Sequence, residues 1–254
     1  MSIVKCQPKF LASFSNLSLV LCTFILFGGL VGCDPQEVSL SPENPQAQNA
    51  IPSSKSTDVV TTKSVSSAFP KIVAFGDSLT AGLGVSSDQS YPSQLQQRLN
   101  RAGYHYRVIN AGVSGDTTAG GLRRLDWVLK SRPSIVIVEL GANDGLRGQP
   151  LASMYSNLDT IISRLQNANT VVVLAGMKIP PNYGLNYITG FSSMFQELAQ
   201  KHKITLIPFL LEGVAAQPNL NQADGIHPTA AGYKIVADTV MTALKPLLRE
   251  KGQF

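Results

Sequence analysis

The stretch Ile72-Val73-Ala74-Phe75-Gly76-Asp77-Ser78-Leu79-Thr80-Ala81-Gly82 decides the fold of this 254-residue chain. It begins as a short apolar run and stops at Gly-Asp-Ser, a pattern typical of a buried strand that ends in a tight turn before a helix. That geometry places Ser78 at the carboxyl edge of a parallel sheet, where open α/β folds bind their ligands. An ordinary turn in which Ser78 caps a helix is the alternative that these residues alone leave open.

Strand-like and helix-like patterns alternate through the rest of the chain. Strands are predicted at 71–75, 107–111, 135–140, 171–175 and 204–208, and helices near 91–102, 118–131, 150–167, 191–202 and 228–248. Most of the strands are continuous apolar runs, as expected when both faces of a sheet are covered. The alternation predicts an α/β fold, a three-layer α/β/α sandwich with a five-stranded parallel sheet.

The N-terminal segment has the pattern of an export signal. Lys5 and Lys9 precede an apolar stretch over 17–31, which is short for a bilayer span of about 20 residues. The stretch ends in Leu30-Val31-Gly32-Cys33, which resembles a bacterial lipobox, whose cysteine is lipidated after cleavage. We therefore expect a signal peptide over 1–32 and an exported bacterial lipoprotein, anchored to a membrane through Cys33 and facing the periplasm or the cell exterior. An uncleaved membrane anchor is the alternative.

Cysteine usage agrees with this expectation. Cys6 and Cys22 fall in the segment that would be removed, so Cys33 would remain without a disulfide partner or a thiol cluster for a metal. Residues 33–69 are rich in Ser, Pro, Thr, Gln and Asn, which predicts a flexible tether. A folded domain is then expected at 70–254.

Charge and motif content exclude several functions. The net charge of +5 is modest, and no block of five or more basic residues or basic run with interleaved aromatics occurs, so nucleic acid is not an expected partner. Neither a metal-ligand cluster nor a phosphate-binding glycine loop is present, so no metal and no cofactor are expected.

Three histidines limit the choice of a general base. His105 is expected to be structural, and His202 to be solvated or to lie favourably near a helix C-terminus. In Asp224-Gly225-Ile226-His227-Pro228 the carboxylate of Asp224 can accept a hydrogen bond from Nδ1 of His227, which leaves Nε2 free to take a proton from a serine. Pro228 is expected to open a helix. The pair is a weak signal alone, but beside Ser78 it predicts a catalytic constellation.

Two further predicted strand ends carry candidate hydrogen-bond donors. Gly115 precedes Asp116, an expected helix cap, and its amide is free to face a ligand. Asn143 can aim its side-chain amide at the same point, whereas Asp144-Gly145 is expected to form a turn. A glycine chosen for its backbone angles and a capping asparagine remain equally good local explanations.

The combination of these blocks resembles the SGNH, or GDSL, hydrolase family. Gly76-Asp77-Ser78, Gly115, Asn143 and Asp224-x-x-His227 match its four blocks in order across 71–248, and the strings at 138–148 and 181–184 are similar to its thioesterase I, lysophospholipase L1 and arylesterase branch. The resemblance implies a flavodoxin-like fold with Ser78 as nucleophile, His227 as base and Asp224 as its orienter. It also implies an oxyanion hole made by the amides of Ser78 and Gly115 and the Asn143 side chain.

The resemblance further implies a substrate class and a binding wall. In that branch the loop equivalent to 176–190 borders the acyl groove, so Met177, Ile179, Pro180 and Tyr183 are expected to bind substrate, although ordinary packing of a surface loop also explains them. The implied activity is hydrolysis of aryl esters, short- to medium-chain acyl esters, thioesters or lysophospholipids. A carbohydrate O-acetylesterase of the cell envelope and a non-catalytic lipid- or glycan-binding lipoprotein are the alternatives. Acyl chain length and oligomeric state stay open.

Overall fold

A computed structural model describes residues 69–249 and contains a five-stranded parallel sheet. The predicted signal peptide, Cys33 and all of the predicted tether except residue 69 lie outside the described residues. The strands are β1 (Lys71–Gly76), β2 (Arg107–Gly112), β3 (Ile135–Glu139), β4 (Val171–Ala175) and β5 (Thr205–Ile207). The helices are α1 (Ser78–Ala81), α2 (Tyr91–Arg101), α3 (Thr118–Lys130), α4 (Ala142–Leu146), α5 (Leu151–Asn167), α6 (Leu185–His202) and α7 (Ala230–Leu244).

The strand order places the ends of β1 and β3 at the point where the sheet reverses its winding. Spatially the strands run β2-β1-β3-β4-β5, all parallel, so the chain moves one way from β1 to β2 and the other way from β3 onward. Helices α2 and α7 pack together, and α3, α5 and α6 pack in succession, which gives the two outer layers. The predicted three-layer sandwich is confirmed, and its ligand crevice is expected at the carboxyl ends of β1 and β3.

The core explains why the strands are continuous apolar runs. Residues 72–75 of β1, 135–138 of β3 and 172–175 of β4 are at most 2% exposed, because helices cover both faces of the sheet. Strand β2 is different: it lies at the sheet margin and its burial is only partial.

Side chains occupy part of the outer margin of β2. The side chain of Gln96, on α2, accepts a hydrogen bond of 2.7 Å from the Val108 amide and donates one of 2.9 Å to the Tyr106 carbonyl. Farther along, Oδ1 of Asn110 accepts a hydrogen bond of 2.9 Å from the Gly112 amide. These backbone groups point away from β1, since their neighbours in sequence pair with it.

Several helix boundaries differ from the prediction. The helix expected after the Gly-Asp-Ser turn is α1, whereas α4 was not predicted and α6 begins at Leu185 rather than near residue 191. Helix α7 is capped by Thr229, whose hydroxyl accepts a hydrogen bond from Gly232, so Pro228 precedes the helix instead of opening it. It ends at Leu244, and a 3₁₀ turn with Pro246 follows, because proline cannot donate the next helical hydrogen bond.

Candidate active site

The turn after β1 sets the position of the serine. The Asp77 side chain caps α1, because its Oδ1 accepts a hydrogen bond of 3.0 Å from the Leu79 amide. A Cβ on Gly76 would lie 2.6 Å from the Glu139 carbonyl oxygen, so glycine alone fits at this position. Ser78 is consequently the first residue of α1 and lies at the carboxyl edge of the sheet.

Three side chains form a continuous row of hydrogen bonds across this edge. The Ser78 hydroxyl lies 2.8 Å from Nε2 of His227, and Nδ1 of the same ring lies 2.6 Å from Oδ2 of Asp224. The acid therefore orients the ring, and the other ring nitrogen faces the serine proton. Ser78 is only 8% exposed, so its hydroxyl is approached through a cavity.

Backbone amides hold Asp224 in its ionised form. Its Oδ1 accepts hydrogen bonds of 3.0 Å from the His227 amide and 2.9 Å from the Ile226 amide. These bonds, that from His227 above all, lower the pKa of Asp224 from 3.8 to about 2. The carboxylate is thus charged at neutral pH and can stabilise the imidazolium that forms when His227 takes a proton.

The expected oxyanion donors lie at neighbouring strand ends. Nδ2 of Asn143 donates to Oδ2 of Asp77 at 3.0 Å and to the Asp116 carbonyl at 2.9 Å, and Asn143 lines the same cavity as Ser78. These bonds fix the plane of the amide before any substrate binds. The Ser78 amide is the first of α1 and has no acceptor within its helix, and within residues 69–249 the Gly115 amide donates no hydrogen bond.

The buried acid Asp144 connects α4 to the segment after β2. The predictions for Asp116 and Asp144 are both wrong. Thr117, not Asp116, caps α3, with its hydroxyl accepting a hydrogen bond of 3.1 Å from Gly120. Asp144, which was expected in a turn with Gly145, is 4% exposed and accepts hydrogen bonds from the amide and hydroxyl of Thr118 at 2.9 and 2.7 Å. The N-terminus of α3 therefore recruits an acid from a helix that follows the next strand.

A second buried acid, Glu139, lies beneath the nucleophile turn and was not identified from the sequence. Its Oε2 accepts hydrogen bonds of 3.1 Å from the Asp77 amide and 2.8 Å from the Thr80 hydroxyl. Glu139 and Asp77 are each at most 1% exposed. Burial raises the pKa of Asp77 to about 6, and burial together with the charge of Asp77 raises the pKa of Glu139 well above its ordinary value. A glutamate inside an apolar strand was the available signal, since glutamate is rarely buried.

Arg124 was also missed, although it holds two strand ends together. Its guanidinium donates to the carbonyls of Gly76 and Ala111 at 2.8 and 2.7 Å, and its Nε donates to Asp116 at 2.7 Å. The guanidinium carbon lies 4.3 Å from the ring centroid of Phe75. The planar fork of arginine suits such divided contacts, but an arginine in an amphipathic helix gives no sequence signal for them.

An apolar cavity of about 530 Å³ opens beside the serine and His227. Three of the predicted wall residues line it, namely Met177, Ile179 and Pro180. The rest of the wall was not predicted and comes largely from the segment after β5 and the turn before His227: Phe209, Leu211, Ala215, Ala216 and Ile226. Lys178 also lines the cavity, with its ammonium 4.5 Å from the ring centroid of Phe209.

Tyr183 lies outside the lining of this cavity. Its hydroxyl donates a hydrogen bond of 2.7 Å to the carbonyl of Leu146, and its ring stacks on Tyr187 with centroids 6.3 Å apart. Because Leu146 and Pro181 line the cavity, this hydrogen bond of Tyr183 connects two segments of the cavity wall.

The other two histidines, His105 and His202, form no hydrogen bond to Ser78, His227 or Asp224. His105 packs on Phe69, with ring centroids 5.3 Å apart. The His202 side chain is only 9% exposed, with Nε2 2.6 Å from Asp159 and Nδ1 3.2 Å from Gln166, so the expected solvated position is wrong. The alternative, a position at a helix C-terminus, is what the structure shows, because His202 is the last residue of α6. Within residues 69–249 no cluster of three or more His, Cys, Asp or Glu side chains suits a metal ion.

A parallel sheet with a Ser–His–Asp row at its carboxyl edge defines a serine hydrolase of the α/β class. The profile of the GDSL-like Lipase/Acylhydrolase family matches residues 74–235 of this chain, and the chain belongs to that family.

Known proteins similar to this chain support this family assignment. Esterase TesA of Pseudomonas aeruginosa is 44% identical over 178 residues, which is 70% of this chain and 89% of that protein. Thioesterase 1/protease 1/lysophospholipase L1 of Escherichia coli strain K12 is 36% identical over 178 residues, 70% of this chain and 84% of that protein. A crystal structure of TesA matches with a TM-score of 0.68 at 44% identity, covering 70% of this chain and 99% of the other. The resemblance is confirmed, and the protein is a carboxylic ester hydrolase of this family.

Proposed function

We propose that the protein hydrolyses short- to medium-chain acyl esters, aryl esters, thioesters or lysophospholipids through an acyl-enzyme on Ser78. The observation that carries the proposal is the hydrogen-bonded row of Ser78, His227 and Asp224 beside an apolar cavity. Relatives named esterase, thioesterase and lysophospholipase support the range of leaving groups.

The first half of the reaction acylates the serine. As Oγ of Ser78 attacks the ester carbonyl, Nε2 of His227 takes the hydroxyl proton. The negative charge on the carbonyl oxygen is stabilised by the amides of Ser78 and Gly115. The Asn143 side chain joins them when one of its two N–H groups exchanges its acceptor, Asp77 or the Asp116 carbonyl, for the oxyanion. His227 then gives its proton to the leaving oxygen or sulfur, and the bond between that atom and the acyl carbon breaks.

The second half releases the acid. A water molecule attacks the acyl-serine carbonyl while His227 removes one of its protons, and the same donors stabilise the new oxyanion. The bond from Ser78 to the acyl carbon breaks, and His227 returns the proton to the serine oxygen. Asp224, with its pKa of about 2, stays ionised throughout and stabilises the charged ring.

The cavity favours acyl chains longer than acetyl. Its apolar wall gains free energy from each methylene that it removes from water, about 0.8 kcal/mol when burial is complete. A cell-envelope O-acetylesterase would gain nothing from this wall. Hydrolysis of p-nitrophenyl esters from acetate to decanoate separates the two functions, and kcat/KM is expected to rise from acetate to octanoate.

Replacement of the serine tests the mechanism directly. Ser78→Ala is expected to lower kcat on p-nitrophenyl octanoate by about 10³-fold or more, because no other group can form the acyl-enzyme. A fluorophosphonate probe is expected to label the wild type and not this variant. Ser153→Ala, at an exposed serine of α5, is the matched control and is expected to keep both activity and labelling. Full activity of Ser78→Ala would refute the mechanism.

We further propose that the protein is exported and anchored through a lipid on Cys33. Support comes from the lipobox-like Leu30-Val31-Gly32-Cys33 and the apolar stretch before it. Within residues 69–249 no helix is long and apolar enough to cross a bilayer. Metabolic labelling with an alkyne fatty acid is expected to mark the wild type and not Cys33→Ser, and equal labelling of both would contradict the anchor.

A further inference from the structure

One edge of the sheet collects exposed positive charge. All five strands are parallel, so their starts and the C-terminal ends of α2, α3, α5, α6 and α7 come together at one edge, opposite the active site. Six exposed cations at this edge form a group that we call the basic edge: Arg101, Arg107, Lys130, Arg132, Lys203 and Lys245. Within residues 69–249 none of the six forms an ion pair or a side-chain hydrogen bond.

Acidic side chains neutralise little of the basic edge. Three acids on the nearby parts of helices are already paired: Asp126 with Arg164, Asp159 with Lys201 and His202, and Asp238 with Arg98. Glu197, an exposed acid five residues before the end of α6, is the one acid near this edge that has no ion pair within residues 69–249. The other seven described acids lie at or after strand ends on the opposite edge: Asp77, Asp88, Asp116, Glu139, Asp144, Glu212 and Asp224. The cations of the basic edge therefore remain largely uncompensated by acids.

Stabilisation of helix ends explains only part of this arrangement. Arg101, Lys130, Lys203 and Lys245 end or follow helices, where cations interact favourably with the helix dipole. Arg107 starts β2 and Arg132 lies just before β3, so their charges need another explanation.

Two exposed aromatic side chains accompany the cations. Trp127 is 56% exposed in the last turn of α3, one turn before Lys130, and Phe69, two residues before β1, is 57% exposed. Tryptophan beside lysine and arginine is typical of protein surfaces that lie against lipid headgroups, because an apolar ring and a cation both suit that boundary. Residue 69 is also where the segment that leads back to Cys33 joins the domain.

We propose that the basic edge is a docking face for a bilayer rich in anionic phospholipid, and that it holds the domain with Ser78 facing away from the membrane. Each lysine or arginine close to an anionic surface strengthens binding about fivefold, and six of them act together. Weak docking suffices if a lipid anchor keeps the domain near the bilayer. Strands of six residues put Ser78 about 20 Å from this face.

The single tryptophan of the chain makes the proposal measurable. The full chain is reconstituted in vesicles that contain brominated phosphatidylcholine, a bilayer-located quencher, with or without 30 mol% phosphatidylglycerol. We expect strong quenching of Trp127 in the anionic vesicles alone, and its loss in 0.5 M NaCl, where charges are screened over a few ångströms. Equal quenching in both vesicles, or quenching that ignores salt, would overturn the proposal.

One lysine within α7 and one directly after it provide the variants. Lys245→Glu removes a cation of the basic edge, whereas Lys234→Glu makes the same change on α7 about 16 Å nearer the opposite edge. Lys245→Glu is expected to lower the ratio of docked to undocked protein at least fivefold and Lys234→Glu to leave it unchanged, both with wild-type hydrolysis of p-nitrophenyl octanoate. An equal effect of the two variants would contradict a defined face. Tighter binding to a DNA duplex than to anionic vesicles at 0.15 M salt would assign the edge to nucleic acid instead.

Discussion

At the scale of single residues, the buried pair of Asp77 and Glu139 is the least expected feature of the site. Each is needed as a hydrogen-bond acceptor: Asp77 for the Leu79 amide and Asn143, and Glu139 for the Asp77 amide and Thr80. None of these bonds requires a negative charge, whereas burial strongly disfavours one. The pair therefore holds the backbone of the turn before Ser78 in place, but it puts two ionisable groups into the core, where their charged forms are unfavourable.

This pair predicts an unusual dependence of stability on pH. A carboxyl whose pKa is raised on folding contributes stability below its unfolded value, and the contribution is lost as pH rises through the folded value. For Asp77, a rise from 3.8 to about 6 corresponds to on the order of 3 kcal/mol. The free energy of unfolding in urea is expected to fall between pH 5 and pH 8.

A conservative variant isolates the effect. Glu139→Gln keeps an oxygen acceptor for Asp77 and Thr80 but cannot ionise, so the fall in unfolding free energy between pH 5 and pH 8 is expected to be smaller than in the wild type. Asp224 does not interfere, because its lowered pKa contributes stability that is lost only below about pH 4. Parallel pH profiles for the variant and the wild type would exclude Glu139 as the cause.

The sequence revealed those residues whose chemistry depends on short spacing. Asp224 and His227 are three positions apart, and Ser78 follows a strand directly, so local geometry alone brings each near its place. Glu139 and Arg124 were not revealed, because each acts on a segment far away in sequence. Glu139 reaches the Asp77 amide across 62 positions and Arg124 reaches the Gly76 carbonyl across 48.

At the scale of elements, strands were easier to predict than short helices. All five strands were found, because a sheet covered on both faces needs continuous apolar runs. Helix α4 and the first turns of α6 were missed: Gly141-Ala142-Asn143-Asp144-Gly145 has turn composition, and Tyr187-Ile188-Thr189-Gly190 contains poor helix formers. Tertiary contacts stabilise the helical conformation of both segments. Asp144 accepts a hydrogen bond from the Thr118 hydroxyl, and the Tyr187 hydroxyl donates one to the Gln149 carbonyl.

The 3₁₀ turn at Pro181–Tyr183 contributes Pro181 to the cavity wall, and a variant of Tyr183 can test how this wall affects substrate binding. Tyr183→Phe removes the hydrogen bond to the Leu146 carbonyl, and the loss of one such bond corresponds to roughly a two- to tenfold effect. KM for p-nitrophenyl octanoate is expected to rise by this factor, with KM for the acetate unchanged, because only the longer chain contacts the wall. Tyr155→Phe on α5 is the control, and an equal rise for both esters would contradict this role.

At the scale of the whole molecule, the parallel sheet places the active site and the proposed membrane-docking face at opposite edges. Its carboxyl edge holds the row of Ser78, His227 and Asp224, and its amino edge holds the basic edge and the entry of the chain at Phe69. If docking occurs as proposed, soluble esters reach the serine freely, whereas a lysophospholipid must leave the bilayer or wait for the domain to undock.

The occupied margin of β2 has a consequence for self-association. An open edge strand offers unpaired amides and carbonyls to which a second molecule can add its own strand, a common start of aggregation. Gln96 and Asn110 already use three of these backbone groups, so an incoming strand must first displace both side chains. Gln96→Ala is expected to increase light scattering of concentrated solutions at 37 °C, and unchanged scattering would argue against protection by Gln96. A glutamine on a neighbouring helix thereby limits growth of the sheet from one molecule into the next.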